Sequence, residues 1–175
     1  MDLGRARFDA DVSGTVGPVE QVTLGPPDAG ELLTLQRAAY VTEAQAHGDL
    51  ALPPLTQTLD QLTAELASDA LDAFGLRTRA GRLVAAVRLV TTADGAIVDL
   101  GRLVVAPDLQ GRGLGSRLLR HALAGLAGSG TRVRLFTGER SAANLRLYAR
   151  FGFAETHRSP SGAGYDLVHM ALDLR

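Results

Sequence analysis

The stretch Leu103-Val-Val-Ala-Pro-Asp-Leu-Gln-Gly-Arg-Gly-Leu-Gly-Ser-Arg-Leu-Leu119 admits few folds. It reads as the apolar end of a strand, a proline that stops it, a glycine-rich turn and the first turns of an amphipathic helix. Gly111, Gly113 and Gly115 leave the backbone uncrowded, so several N–H groups can turn toward one anion. The helix that follows directs its unpaired N–H groups and its positive dipole end at the same spot. Strand, glycine loop and helix N-terminus in that order make a phosphate cradle. A helix joining two strands also makes those strands parallel.

Three patterns compete for that cradle. A Walker loop needs a lysine before Ser/Thr, and the chain has none: all 18 basic residues are arginine. The dinucleotide fingerprint G-x-G-x-x-G fails because Ser116 stands where the third glycine belongs, and no acidic residue ends the next strand, Thr131–Phe136, to take a ribose hydroxyl. The segment Gln110-Gly-Arg-Gly-Leu-Gly115 instead resembles the Q/R-x-x-G-x-G/A signature of the GCN5-related N-acetyltransferase (GNAT) superfamily.

The rest of the chain supplies the context. Residues 1–18 form a Gly- and Asp-rich arm without clean periodicity, and Val19–Leu24 alternates as a first strand. Asp28 stands as the N-cap of a helix over Ala29–His47, which Gly48 ends. A proline-rich loop, Asp49–Thr58, leads to a short helix from Leu59 to Leu66; the pair reads as a lid over a substrate or as a plain connector. Strands Leu71–Thr78 and Gly81–Thr91 form a hairpin, and Ala93-Asp-Gly-Ala turns into a third strand, Ile97–Val105. Near-continuous apolar character from Leu83 to Val90 suits a central strand covered on both faces. A helix over Leu114–Ala127, a strand at Arg132–Phe136, a short helix capped by Ser141 and running through Arg150, and a final antiparallel pair, Gly152–His157 with Tyr165–Leu174, complete the order. The fold class is α/β with a mixed sheet (α+β in its antiparallel parts), in the order β-α-α-β-β-β-α-β-α-β-β. That order is similar to the GNAT fold from Val19 onward, so residues 19–175 read as one domain.

A second segment, Asn144-Leu-Arg-Leu-Tyr-Ala-Arg-Phe-Gly-Phe153, resembles the GNAT stretch in which an Asn and a Tyr four residues apart precede a Gly-Phe turn. One helical turn separates Asn144 from Tyr148, so the two share a face. The resemblance makes acetyl-CoA the cosubstrate, Tyr148 the proton or hydrogen-bond donor to the departing sulfur, and Asn144 a ligand of the pantetheine arm or of a water. It assigns the free backbone groups of Leu103, Val104 and Val105 to pairing with that arm as an added strand would. It assigns the pyrophosphate to the amides of Gly111, Arg112, Gly113, Leu114, Gly115 and Ser116, after Gln110. Arg112 and Arg117 either add charge there or are solvated. Without the family, Tyr148 reads equally as a buried aromatic and Asn144 as a surface residue.

Acyl transfer to an amine requires a neutral nucleophile, and an alkyl amine of pKa ~10.4 must lose its proton to a base or a water chain. Asp99, eleven residues before Gln110, shares parity with Gly101, Leu103 and Val105 and stands where histone-modifying relatives carry a Glu. It is the first candidate base; an exposed strand-edge charge is its other reading. Glu139 is a second candidate.

Composition removes other chemistries. With no cysteine there is no disulfide, thiolate metal site or cysteine nucleophile, and with no lysine no Schiff base. His47, His121, His157 and His169 lack metal-ligand spacing, and no G-x-S-x-G elbow exists. A net charge of −1 gives no bulk attraction to nucleic acid or to a membrane surface, and no apolar run reaches a membrane-spanning length. The charged N-terminus points to the cytoplasm. The leading expectation is therefore direct transfer of acetyl to a primary amine of a small molecule or peptide. A non-catalytic acyl-CoA-binding sensor on the same fold is the alternative, and acetylation of a macromolecular amine a third possibility. Residues that choose the acceptor are expected in Ala39–Leu59 and in Arg158–Gly164. A homodimer is compatible with the chain.

Overall fold

A computed structural model describes residues 17–128 and 130–174; most of the N-terminal arm lies outside them. Seven strands form one sheet: β1 (Val19–Thr23), β2 (Leu71–Thr78), β3 (Leu83–Thr91), β4 (Ile97–Val105), β5 (Arg132–Gly138), β6 (Ala154–Pro160) and β7 (Asp166–Asp173). Their spatial order is β1-β2-β3-β4-β5-β7-β6. Every pairing is antiparallel except β4 with β5, where the crossover helix imposes a parallel pair. The helices are α1 (Ala29–His47), α2 (Pro53–Thr56), α3 (Leu59–Leu66), α4 (Leu114–Ala124) and α5 (Ala142–Arg150). Single 3₁₀ turns at Pro26–Asp28 and Pro107–Leu109 precede α1 and the glycine loop.

The expected element order holds, with local differences. The proline-rich loop contains a helical turn, α2, because Pro53 and Pro54 sit at its first two positions, where a missing N–H costs nothing. α4 ends at Ala124, short of the expected Ala127, and turns carry the chain on to Gly128, whose φ of 74° is left-handed. Asp28 does not cap α1. Its carboxylate accepts the Gly25 N–H at 2.9 Å and the Arg77 guanidinium at 2.7 Å, so it ties the helix start to β2. Gly48 ends α1 as expected, with a left-handed φ of 66°.

The core lies on both faces of β3, whose residues Leu83 to Leu89 are all buried. Arg88 and Ala85 point to opposite faces because three residues separate them. Arg88 meets Gln36 of α1. Ala85 pairs with Val105, whose Cγ2 lies 3.6 Å from where a Cβ on Gly115 of α4 would stand. Hence α1 covers one face and α4 the other.

The β3–β4 register slips between Ala86 and Arg88, and Arg102 opposite the slip has φ 53°. This bulge corrects the parity expected for Asp99. Asp99 pairs with Val90 and Val105 with Ala85, five residues apart, so they face opposite sides of the sheet. A left-handed arginine in a strand costs on the order of 1–2 kcal/mol, so the surrounding structure must hold it.

Candidate active site

The cofactor half of the site is made of backbone. β4 pairs with β5 only from Ile97 to Asp99; beyond the bulge the two strands part, and Leu103 to Val105 have no β5 partner. A wedge opens there beside free strand edge, ready for an extended amide-bearing chain. At the wedge's end Gly111 and Gly113 adopt φ of 75° and 79°, and a side chain at either would be strained even though nothing crowds the space. Among the described residues, no hydrogen bond is donated by the amides of Gly111 through Ser116, while the Arg117 amide is the first to close onto the helix. Six adjacent N–H groups therefore face outward at the start of α4, as an anion cradle needs. A diphosphate fits this donor set.

Side chains brace the cradle. The Gln110 carboxamide donates to the Val105 carbonyl at 3.3 Å. That acceptor is therefore engaged, whereas its free state was expected. Arg82 grips Asp108 through two 2.8 Å bonds, fixing the turn before the glycines. Arg117 donates to the Val19 carbonyl at 2.9 Å, so it fastens β1. Arg112 is exposed at the loop and contributes its charge to the neighbourhood of Asp108.

Tyr148 is 6% exposed and packs edge-on against Phe153, with ring centroids 5.9 Å apart. Burial drives its pKa far above the usual phenol range, with the nearby Tyr40 and Glu43 adding to the effect. The hydroxyl thus keeps its proton at every physiological pH. It is a donor, and it is not a base.

Asn144 and Tyr148 share their helix face as expected. Asn144 Nδ2 donates to Glu43 Oε1 at 3.1 Å, and Ser141 Oγ donates to Glu43 Oε2. Ser141 therefore spends its hydroxyl on Glu43 and does not cap α5. The His47 ring lies tilted against Tyr165, with centroids 4.3 Å apart, and accepts the Arg140 N–H on Nε2 at 3.3 Å. Its Nδ1 accordingly carries the proton and donates to the Glu43 carbonyl at 3.0 Å. Gly138 makes room for that ring, since a Cβ there would sit 2.2 Å from Nε2. Glu43 and His47, one turn apart at the end of α1, thus clamp the start of α5 and orient its active face. Sequence reasoning missed Glu43, since one glutamate on an exposed helix face carries no distinguishing pattern.

On the α1 face a cleft of about 1040 Å³ runs from Tyr40 and Arg88 across β4, β5 and β7 to His157 on β6. Asp99 lines it beside Gly101 and Arg102, but both its carboxylate oxygens hold Arg134, at 2.8 and 2.9 Å. Beneath lies a buried polar network. Arg88 bonds Glu65 at 2.5 Å and Gln36; Gln36 donates to Gln57 at 3.0 Å; and Gln57 donates to Glu65 at 2.7 Å. At the far end His157 and His169 stack at 4.1 Å, with Phe136 5.7 Å from His169. Of the expected acceptor-selecting segments, Ala39–Leu59 supplies Tyr40 to this cleft. Part of Arg158–Gly164 lines a separate hollow of about 460 Å³ with Glu139, Tyr165 and Asp166. His121, partly exposed, packs edge-on against Phe74 at 5.0 Å. No group of metal-ligating side chains occurs among the described residues, and no helix among them is long and apolar enough to cross a membrane.

Residues 72–155 match the family model described as acetyltransferase (GNAT) domain. No curated protein matches the sequence significantly. Solved structures match the fold. The ribosomal-protein-S18-alanine N-acetyltransferase of Escherichia coli shares 21% identity, covering 90% of this chain and 94% of that one with a TM-score of 0.72. The PaiA N-acetyltransferase of Thermoplasma acidophilum, solved in complex with coenzyme A, shares 17%, covering 89% and 99% with a TM-score of 0.74. Arabidopsis thaliana NAA60 with a bisubstrate analogue shares 14%, covering 90% and 99% with a TM-score of 0.71.

Proposed function

We propose that the chain is an acetyltransferase of the GNAT family, with acetyl-CoA as cosubstrate, and that it moves the acetyl group directly to a primary amine of a small molecule or peptide. The observation that carries the reading is the wedge between β4 and β5, opening onto six outward amides at one end and the cleft at the other. The pyrophosphate rests on the amides of Gly111 to Ser116, and the pantetheine arm runs along the β4 edge that β5 leaves open at Leu103 and Val105, where Gln110 already holds the Val105 carbonyl. The acyl end then lies at the bulge, where the two faces of the sheet communicate.

In this reading the acceptor nitrogen loses its proton to Asp99, attacks the thioester carbonyl, and forms the amide as the C–S bond breaks. Tyr148 donates a hydrogen bond or proton to the sulfur that leaves. Burial keeps the phenol protonated but makes it a weaker acid, so it is suited to donating a hydrogen bond to the developing thiolate more than to handing over its proton. Asn144 Nδ2 is occupied by Glu43, which leaves the side-chain oxygen to accept from the arm or a water. Asp99 must loosen from Arg134 to accept a proton.

Replacing Tyr148 with Phe tests the assignment. Turnover should fall about tenfold or more while acetyl-CoA affinity stays within a factor of about two, because the lost hydroxyl acts on developing sulfur charge. CoA release is readable with a thiol reagent, since a chain without cysteine gives no background. Equal losses in turnover and affinity would make Tyr148 structural. A protein that binds acetyl-CoA and acetylates nothing across a broad amine panel would be the sensor instead.

A further inference from the structure

We propose, resting on the acetyltransferase reading above, that the acceptor is a small amine that also carries a carboxylate, and that Arg102 binds that carboxylate. Four arginines line the cleft, Arg88, Arg102, Arg132 and Arg134, against two carboxylates, Glu65 and Asp99. Both carboxylates are committed. Glu65 holds Arg88 and accepts from Gln57, and Asp99 holds Arg134 through both oxygens. A polyamine would need carboxylates beyond the base Asp99 for its other ammonium groups, and among the described residues the cleft offers only Glu65, which Arg88 and Gln57 hold. Its surplus is cationic.

That surplus has an address. Arg132 pairs with Asp173 at 3.2 Å, and Arg102 pairs with no described carboxylate. Its guanidinium shares the cleft lining with the Tyr40 hydroxyl, and its charge partly offsets the rise that burial gives that phenol. Tyr40 in turn neighbours Tyr148. The free cation therefore lies one side chain from the proposed sulfur donor. Arg102 is also the one non-glycine residue with positive φ among the described residues. Backbone strain kept at a site's centre calls for a reason beyond packing, and aiming a guanidinium into the cleft is one. Opposite it, Val90 and Phe136 line the cleft 42% and 61% exposed, an apolar wall for the acceptor's body. A guanidinium binds a carboxylate through two parallel bonds, so the anion would fix which nitrogen faces the bulge.

The test uses amine pairs that differ only by the carboxylate: phenylalanine with 2-phenylethylamine, and lysine with 1,5-diaminopentane, plus spermidine. CoA release is followed with the full chain, and calorimetry with CoA on the same preparation checks the underlying reading. The carboxylated member of at least one pair should have kcat/KM at least tenfold above its partner and above spermidine. R102Q should shrink that ratio toward one through KM, and R102K should restore part of it. Equal or better use of the decarboxylated members, preference for spermidine, or no turnover of any carboxylated amine each overturns the inference. A ratio that survives R102Q assigns the anion elsewhere and overturns the role of Arg102. Loss of CoA binding in the unaltered protein would instead strike the acetyltransferase reading itself.

Discussion

The two halves of the site are built from different materials. On the α4 side the proposed cofactor surface is backbone: strand edge from Leu103 to Val105, then a run of unpaired amides held by two left-handed glycines. On the α1 side the cleft is a mosaic of side chains from α1, α3 and strands β2 through β7. A backbone site needs only glycines at the right spacing and a helix start, all contiguous in sequence. A mosaic site needs eight elements to arrive together. The first can be kept across a family while the second is rebuilt for each acceptor.

The sharpest way to break the comparison is at Asp99, the one side chain of the mosaic asked to do chemistry. Asp99→Asn keeps shape and removes the basic oxygen, and kcat should fall by about 10²–10⁴-fold, the range for loss of a general base. The lost limb of the pH–rate profile should go with it. A drop of only a few-fold, matched by Arg134→Gln, would show that the pair is a strut between β4 and β5 and that water chains carry the proton.

On the backbone side, Gly113→Val should raise the KM for acetyl-CoA roughly tenfold, as expected from forcing a β-branched residue to φ 79°, a strain of about 1–2 kcal/mol. No atom lies within 4 Å of the added Cβ, so the effect is conformational. Arg112→Ala, which deletes a charge and leaves the amides alone, should change the same KM less. If Arg112→Ala proved the more damaging, the cradle would be a side-chain site after all, and the contrast between the halves would fail.

The same contrast explains what the sequence disclosed. The glycine loop, the run of strands and the Asn144–Tyr148 turn could be read because each is local: period, breaker and spacing lie within about ten residues. Non-local features could not. The slip opposite Arg102 reverses parity along β4, and nothing in Leu100-Gly-Arg-Leu-Val104 announces it, because a bulge is decided by how two strands match. Asp28 and Ser141 were legible as caps by type, yet each finds a better partner, Arg77 and Glu43, about 49 and 98 residues away. Glu43 and the cleft's arginines were invisible for the same reason. A charge becomes a clamp or a binding group only once the fold supplies its counterpart.

The smallest effect lies at the cleft's far end, where His169 meets His157. Burial lowers the His169 pKa below its ordinary 6.5, and the neighbouring His157 lowers it further. Ser159 Oγ lies 2.8 Å from His169 Nε2, a hydrogen bond open to the neutral ring as donor or acceptor. A group whose native pKa is depressed takes up its proton later than the unfolded chain does as pH falls. The unfolded state therefore binds more protons just below pH 6.5, and His169 withdraws stability from there down through its native pKa; above pH 6.5 it costs nothing. His169→Gln should lessen the fall in Tm between pH 7.5 and 5.5 by on the order of a degree. The carboxylates engaged by Arg77, Arg82 and Arg158, which the variant leaves alone, should produce their own acid losses at lower pH. An unchanged fall in Tm would mean that the stacked pair opens to water before either ring is charged. The mosaic half would then already be loose at its rim, while the backbone half holds.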